Sequence, residues 1–354
     1  MLQVITSAQR RGPEMFSLAL ASALADHGWP VRTVAMYPSP VANALPVRVL
    51  GTRRLAIVCG LRREAPSAQL MIAFGSKTLP ACAAAGFLAS RPFIYQSIGD
   101  PSYWARTPAR RVRTGVCVRR AKVVVALWPG AAASIARIYG VSQDRISVIP
   151  NARAAAEFPL VDEVRRAQAR ERLDLEIDRP VVAYLGALAV EKGVDAAIDA
   201  MVEVPDATFL VVGDGPERAS LVRKAAGLLG PRARFLPPTN DPAGVLAAAD
   251  VLVLPSLSEG LPGVLIEAGL SGIPVVATDV GGIREIVCSG ETGLLVHPGD
   301  SDALAGGLRA ALANGHDMGS AARVRCLERF EMAVVATAWH QLLTRLAAPD
   351  GAMG

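Results

Sequence analysis

A chain of 354 residues, 51% of them hydrophobic and 19% charged, holds enough material for about two domains and is too apolar to be disordered. Arg, Asp or Pro interrupts every stretch approaching 18 apolar residues, so no membrane-spanning helix is expected, and the opening MLQVITSAQRR lacks the long apolar region of a secretory leader. The net charge of +5 is unevenly shared: residues 1–150 carry 19 Lys and Arg against 5 Asp and Glu, a net of +14, and the remainder carries −9.

Residues 2–6 read as a short buried strand. Gly12-Pro13 punctuates, and residues 14–27 follow with helical periodicity that Gly28 can close. Residues 31–36, 70–74, 93–97 and 122–127 are further short apolar runs, with alanine-rich helical stretches between them. The pattern pauses at Ile149-Pro150-Asn151, and residues 152–178 are polar, mobile-looking and partly helical. The cycle then restarts, with strands at 181–185, 208–212, 251–255, 275–278 and 294–297 and helices at 193–202, 217–229 and 261–270. Strand–helix alternation predicts parallel sheets covered on both faces. The expected architecture is α/β, with two doubly wound Rossmann-like domains facing a cleft and ligands at the carboxyl ends of the strands. Residues 1–155 form the first domain and 156–330 the second; within 331–354 a helix at 333–346 packs back on the first.

Five scattered cysteines (Cys59, Cys82, Cys117, Cys288, Cys326) without a C-x-x-C, and four dispersed histidines, give neither a disulfide framework nor a metal-ligand set; buried thiols and no metal are expected. The basic residues of the first half gather at Arg53-Arg54, Arg62-Arg63 and along Arg106–Lys122. Such a surface suits anionic lipid headgroups, or is a solvated basic face. Nucleic acid is not expected, because no aromatic residues interleave with the arginines.

Chemistry concentrates in the second half. Glu259-Gly-Leu-Pro-Gly-Val-Leu-Ile-Glu267 places one carboxylate on a loop and another inside the helix that follows. A helix start exposes unpaired amides and a partial positive charge, here at Gly263, Val264 and Leu265, a setting that favours phosphate. A carboxylate in the same site accepts from paired sugar or ribose hydroxyls, although two exposed helix glutamates would have the same spacing. Tyr184-Leu-Gly-Ala-Leu-Ala-Val-Glu-Lys-Gly193 puts Gly186 at a strand end and Lys192 just before a helix, where an ammonium can neutralise a diphosphate. Val211-Val-Gly-Asp-Gly-Pro216, containing Gly213, is a further strand-to-helix junction. Leu252-Val-Leu-Pro-Ser256 and Pro274-Val-Val-Ala-Thr-Asp-Val-Gly-Gly282 end strands on the same edge.

This ordered set resembles the family-4 glycosyltransferases (glycosyl transferases group 1), a retaining group with the two-domain GT-B fold. Weaker echoes lie in residues 121–151, ending Val-Ile-Pro-Asn, and in Arg11-Gly12-Pro13-Glu14, where the family has a Gly-rich first loop. The resemblance implies a nucleotide-sugar donor, UDP- or GDP-linked, with no metal or other cofactor. Glu267 would hold the ribose, Glu259 the transferred sugar, and Lys192 with the amides near Val264 and Leu265 the diphosphate, Glu259 and Lys192 carrying the catalysis. Gly12 would let the first loop approach the sugar phosphate, and residues 235–238 would meet the nucleobase. Ser76, Lys77, Gly99 and Asp100 would face the acceptor: a glycan, a lipid-linked sugar or a small molecule. Cell-envelope glycan or glycolipid synthesis at the inner face of the membrane, in the cytoplasm, is the expected setting.

Two departures stand out. Ala187 occupies the position where the family usually has Arg, paired with the lysine on the diphosphate; Arg10, Arg11 or Arg284 would have to substitute. The stretch Gln96-Ser-Ile-Gly-Asp100 offers Gly99 and Asp100 where many members have His, tolerable if the departing phosphate takes the acceptor's proton. A catalytically degenerate nucleotide-sugar binder and transfer to a soluble metabolite are the alternatives. A sugar-nucleotide epimerase on the same scaffold is a more distant one, and a nicotinamide oxidoreductase is disfavoured because no G-x-G-x-x-G links the first strand and helix.

Overall fold

The computed structural model describes residues 1–40, 44–105 and 107–347, without the side chains at 103 and 104. Arg106 of the basic run lies outside them. The chain forms two compact units: residues 1–152 together with the segment from Met332, and Arg153–Glu331.

The first unit is built on a seven-stranded sheet: β1 (Leu2–Ser7), β2 (Arg32–Tyr37), β3 (Arg48–Val49), β4 (Met71–Phe74), β5 (Phe93–Gln96), β6 (Val123–Ala126) and β7 (Ile146–Val148). The order is β3-β2-β1-β4-β5-β6-β7, every pair parallel, with Leu2 in register with both Arg32 and Met71. Every residue of β4, β5 and β6 is buried, as continuous apolar strands under helices on both faces require. The helices are α1 (Gly12–Asp26), α2 (Arg54–Glu64), α3 (Leu79–Ala89), α4 (Pro101–Trp104), α5 (Pro108–Val118) and α6 (Pro129–Tyr139). A proline in the first turn sets the start of α1, and Gly28, in the left-handed region, donates to Ala25 O at 2.9 Å as the helix ends.

The second unit runs α7 (Glu163–Arg172), β8 (Val181–Leu185), α8 (Val194–Val202), β9 (Thr208–Val212), α9 (Arg218–Leu228), β10 (Ala233–Leu236), α10 (Pro242–Ala248), β11 (Val251–Leu254), α11 (Gly263–Ser271), β12 (Val275–Thr278), α12 (Ile283–Ile286), β13 (Leu294–Val296) and α13 (Ser301–Arg329). Its parallel sheet has the order β10-β9-β8-β11-β12-β13, so the strand sequence reverses between β8 and β11, the place where doubly wound sheets open a ligand crevice. Asp162, Asp241 and Asp300 cap α7, α10 and α13 through backbone N–H groups three residues on, each at 2.8 Å. Non-helical torsions at Asn314 kink α13. The C-terminal helix α14 (Met332–Ala347) belongs to the first unit and packs on α1. Trp339 is fully buried, Trp29 Nε1 donates to His340 Nδ1 at 2.9 Å, and the His27 and His340 rings stack with centroids 5.0 Å apart.

Several expectations need adjustment. The first unit ends at Ala152, three residues before the expected border, because Arg153 N–H already bonds Phe330 O at 3.0 Å. The segment expected to be mobile-looking is tied down: Arg170 in α7 is buried, with Nε on Ala248 O at 3.1 Å and Nη2 on Asp250 at 2.5 Å. Of the five thiols only Cys82 and Cys326 are buried, and Cys59 is exposed. No helix among the described residues is long and apolar enough to cross a membrane.

Candidate functional site

The N-terminus of α11 is shaped by the loop between β11 and the helix. After β11, Ser256 is fully buried and its hydroxyl donates to Glu259 Oε1 at 2.7 Å. Lys192, at the end of a single 3₁₀ turn after β8, donates its ammonium to the same oxygen at 2.7 Å. Glu259 is 9% exposed, and desolvation strengthens a charge-assisted bond of this kind. The loop is held from both sides. Leu257 N–H bonds Glu191 O at 2.8 Å, and Gly282 N–H bonds Gly260 O at 2.8 Å. Gly281 makes the second contact possible: its φ is +59°, and a Cβ there would collide with the Glu259 carbonyl oxygen.

Pro262 is extended, so α11 starts at Gly263, two residues later than expected. Glu267 then falls one turn inside the helix, buried, on the face that Gly263 begins. The Leu265 side chain is buried, and its N–H bonds Pro262 O at 3.3 Å. The amides of Gly263 and Val264 take no backbone acceptor among the described residues. Gly186 and Gly213 extend the ladder past β8 and β9, donating to Val212 O at 3.1 Å and Leu236 O at 3.2 Å. Gly186, Lys192, Gly213, Glu259, Gly263, Val264 and Glu267 thus all lie in the second unit at the carboxyl edge of one sheet. Residues 235–238 lie at the end of β10 on the same edge.

Sequence reasoning missed Arg153. Its Nε donates to Glu267 Oε1 at 2.6 Å, with both side chains largely buried, and a Cβ on Gly263 would overlap its guanidinium. The only signal was a charge in an otherwise alanine-rich stretch after Ile149-Pro150-Asn151. Ala187 is exposed and offers only its carbonyl, which accepts from Tyr184 OH at 2.8 Å. Burial, with the charges of Glu259 and Glu191 behind it, holds the Tyr184 phenol above its ordinary range, so it stays a neutral donor. Arg284 forms a two-contact pair with Asp279 and holds that carboxyl below the usual range.

In the first unit, a pocket of about 240 Å³ opens at the carboxyl ends of β1, β4 and β5. Ser76, Lys77 and Gly99 line it beside Glu14, Tyr95 and Tyr139. Asp100 is not among the lining residues; its carboxylate caps α4 by accepting from Ser102 N at 2.8 Å. Gly12 opens α1 and does not line the pocket either. Glu14, just inside α1, is 6% exposed, and its Oε2 has no hydrogen-bond partner among the described residues. Burial raises its carboxyl above the ordinary range, against the pull of Arg11 and Lys77. Elsewhere on this unit, α5 exposes Val112 and Val116 among Arg110, Arg111 and Arg113, and Arg120 lies over the exposed Phe87 ring at 5.3 Å. No cluster of three or more His, Cys, Asp or Glu able to hold a metal occurs among the described residues.

Two family models match the chain: "Glycosyl transferase 4-like domain" over residues 11–152 and "Glycosyl transferases group 1" over residues 179–314. The 2-deoxystreptamine glucosyltransferase of Streptomyces kanamyceticus is 38% identical over 200 residues, 53% of this chain and 50% of that protein. The D-inositol 3-phosphate glycosyltransferase of Xylanimonas cellulosilytica is 36% identical over 208 residues, 56% of this chain and 50% of that protein. The chain thus spans about half the length of these curated relatives. Among solved structures, Anabaena HepE in complex with UDP-glucose superposes with a TM-score of 0.88 at 24% identity, covering 97% of this chain and 99% of that one. Sucrose-phosphate synthase from Thermosynechococcus elongatus superposes at 0.81 with 23% identity, covering 98% of each. Both likenesses are of fold, the GT-B architecture of two parallel α/β domains.

Proposed function

The chain belongs to the group 1 glycosyl transferases, and from that premise we propose that it moves a sugar from a nucleotide-linked donor to an acceptor hydroxyl, with the donor held at the N-terminus of α11. The observation that carries this reading is the clustering at one sheet edge of two unclaimed amides, an ammonium and two buried carboxylates. Amides and ammonium are aimed where a departing diphosphate gathers charge, the form of stabilisation that accelerates such transfers most. Glu267 accepts from the ribose hydroxyls, and Glu259, with Oε1 saturated by Lys192 and Ser256, offers its other oxygen to the transferred sugar. The departing phosphate takes the acceptor's proton, so no protein base is needed and the sugar keeps its anomeric configuration, as the family resemblance implies. No metal or other cofactor takes part. UDP or GDP is the proposed carrier; HepE, a fold neighbour, was crystallised with UDP-glucose.

Two acceptor classes have support of different kinds. The basic, partly apolar face of α5 favours a lipid-linked or envelope glycan met at the inner membrane surface, in the cytoplasm. The first unit's pocket, about 240 Å³ with two tyrosines, Glu14 and Lys77, favours one small polyhydroxylated ring. The named acceptors of the two relatives above, 2-deoxystreptamine and inositol 3-phosphate, are of that kind. Sedimentation with anionic vesicles separates the two: salt-sensitive co-sedimentation supports the membrane acceptor, and absence of binding at any salt supports the soluble one.

A thermal-shift panel of UDP-, GDP-, ADP- and TDP-sugars tests the donor. A ligand at 100 times its Kd adds about 2.7 kcal/mol of stability, a readily measured rise in Tm. One nucleotide series is expected to raise it; no rise with any would contradict the proposal.

A further inference from the structure

The first unit's pocket holds a carboxyl that the protein itself leaves incomplete. Glu14, in the first turn of α1, lines it and is 6% exposed, and its Oε2 has no hydrogen-bond partner among the described residues. A buried polar atom without a partner costs stability, so one kept at a cavity wall points to a ligand that completes it. Arg11 and Lys77 line the same pocket, both exposed, and their charges act on the Glu14 carboxyl. Neither of these side chains makes a hydrogen bond or ion pair among the described residues. Glu14 is the single acid among the described lining residues, and burial keeps the phenols of Tyr95 and Tyr139 neutral. The backbone adds positive character: α1 and α3 both begin at the rim, where Pro13 and Glu14 lie in the first turn of one and Ser76 and Lys77 precede the other. Burial also raises the Glu14 carboxyl toward its neutral form, which leaves the two cations in excess. A neutral sugar would leave both cations unused, and an ammonium would be repelled by both.

We propose that this pocket takes an anionic polyol, a small hydroxylated ring bearing a phosphate: the phosphate lies on Lys77 and Arg11, and a ring hydroxyl donates to the Glu14 carboxyl. Glu14 and Lys77 are then the residues that select the acceptor. The assignment rests on the reading of the chain as a sugar transferase with a soluble acceptor, and narrows that acceptor from any small polyhydroxylated ring to a phosphorylated one.

Calorimetric titration of the full chain tests this in wild type, Glu14→Gln and Lys77→Gln, alone and with the nucleoside diphosphate that the thermal-shift panel selects. The probes are inositol 3-phosphate and glucose 6-phosphate, their parents inositol and glucose, and inorganic phosphate. In wild type at least one phosphorylated ring is expected to bind about tenfold or more tighter than its parent and than phosphate. Lys77→Gln should abolish that preference, leaving ring phosphate and parent within about threefold of each other. Glu14→Gln keeps the shape and exchanges the carboxyl for an amide. It should weaken ring phosphate and parent alike by about fivefold or more, and leave inorganic phosphate within about twofold of wild type. Both variants should bind the nucleoside diphosphate within about twofold of wild type. Wild-type chain that binds no ring phosphate more tightly than its parent, or a ring phosphate whose affinity neither substitution changes, would overturn the proposal. So would an equal loss of nucleoside diphosphate and ring phosphate in either variant, which would make this pocket part of the donor site. Ring binding is read without turnover, so its failure beside a normal nucleotide response overturns this assignment and leaves the transferase reading standing. A wild-type chain that binds no nucleotide removes the transferase reading, and this acceptor role with it.

Discussion

Lys192 and Glu259, 67 residues apart in sequence, meet at 2.7 Å where the turn after β8 touches the loop after β11. The same Glu259 oxygen accepts from the buried Ser256 hydroxyl at 2.7 Å, so the carboxylate is oriented from two directions before any ligand arrives. Preorganised charge of this sort loses little to rearrangement when a reaction develops charge beside it.

Replacing Lys192 with Ala removes the ammonium and leaves Glu259 with Ser256 alone. Turnover is expected to fall at least about tenfold, or about 1.4 kcal/mol in the barrier, and Glu267→Ala to lower it by at least as much. Steady-state kinetics against the donor chosen by the thermal-shift panel measures both. Wild-type rates in both variants would contradict the site assignment.

Gly281→Ala tests whether the loop carrying Glu259 is held by its neighbour. An alanine there combines a left-handed backbone with a collision against the Glu259 carbonyl oxygen. The expected cost is about 1–3 kcal/mol in chemical denaturation, together with loss of donor binding. Gly306→Ala, inside α13 with nothing within 4 Å of its added Cβ, should leave donor binding unchanged and raise stability by about 0.5–1 kcal/mol.

Much of this site could be read from the sequence because its parts are local. Continuous apolar strands such as Val181–Leu185 and Thr208–Val212 stand out, and Lys192, Glu259 and Glu267 sit on junctions that those strands and their helices define. Arg153 was not legible, because its partner Glu267 is 114 residues away and only the tertiary fold joins them. The edge strands β3, β7 and β10 escaped for a different reason: two to four residues long and partly or wholly exposed, they carry no buried apolar run.

Glu14 gives the first unit a pH dependence. Burial raises its carboxyl above the ordinary value of 4.5, against the opposing pull of Arg11 and Lys77. An acid raised in the folded state adds stability that is full below the ordinary value and is lost as pH rises through the folded value. Glu14→Gln should therefore melt above wild type at about pH 8 and match it at about pH 4. Thermal unfolding at the two pH values measures this, and an equal shift at both would show that ionisation of Glu14 costs nothing.

The proposed function places a diphosphate in the first turn of α11. The structure of the full chain with the selected nucleoside diphosphate bound tests it most directly. The phosphates are expected on the Gly263 and Val264 amides, within hydrogen-bond reach of Lys192, and the ribose hydroxyls on Glu267. A nucleotide bound away from that turn, with Glu267 still facing only Arg153, would contradict it.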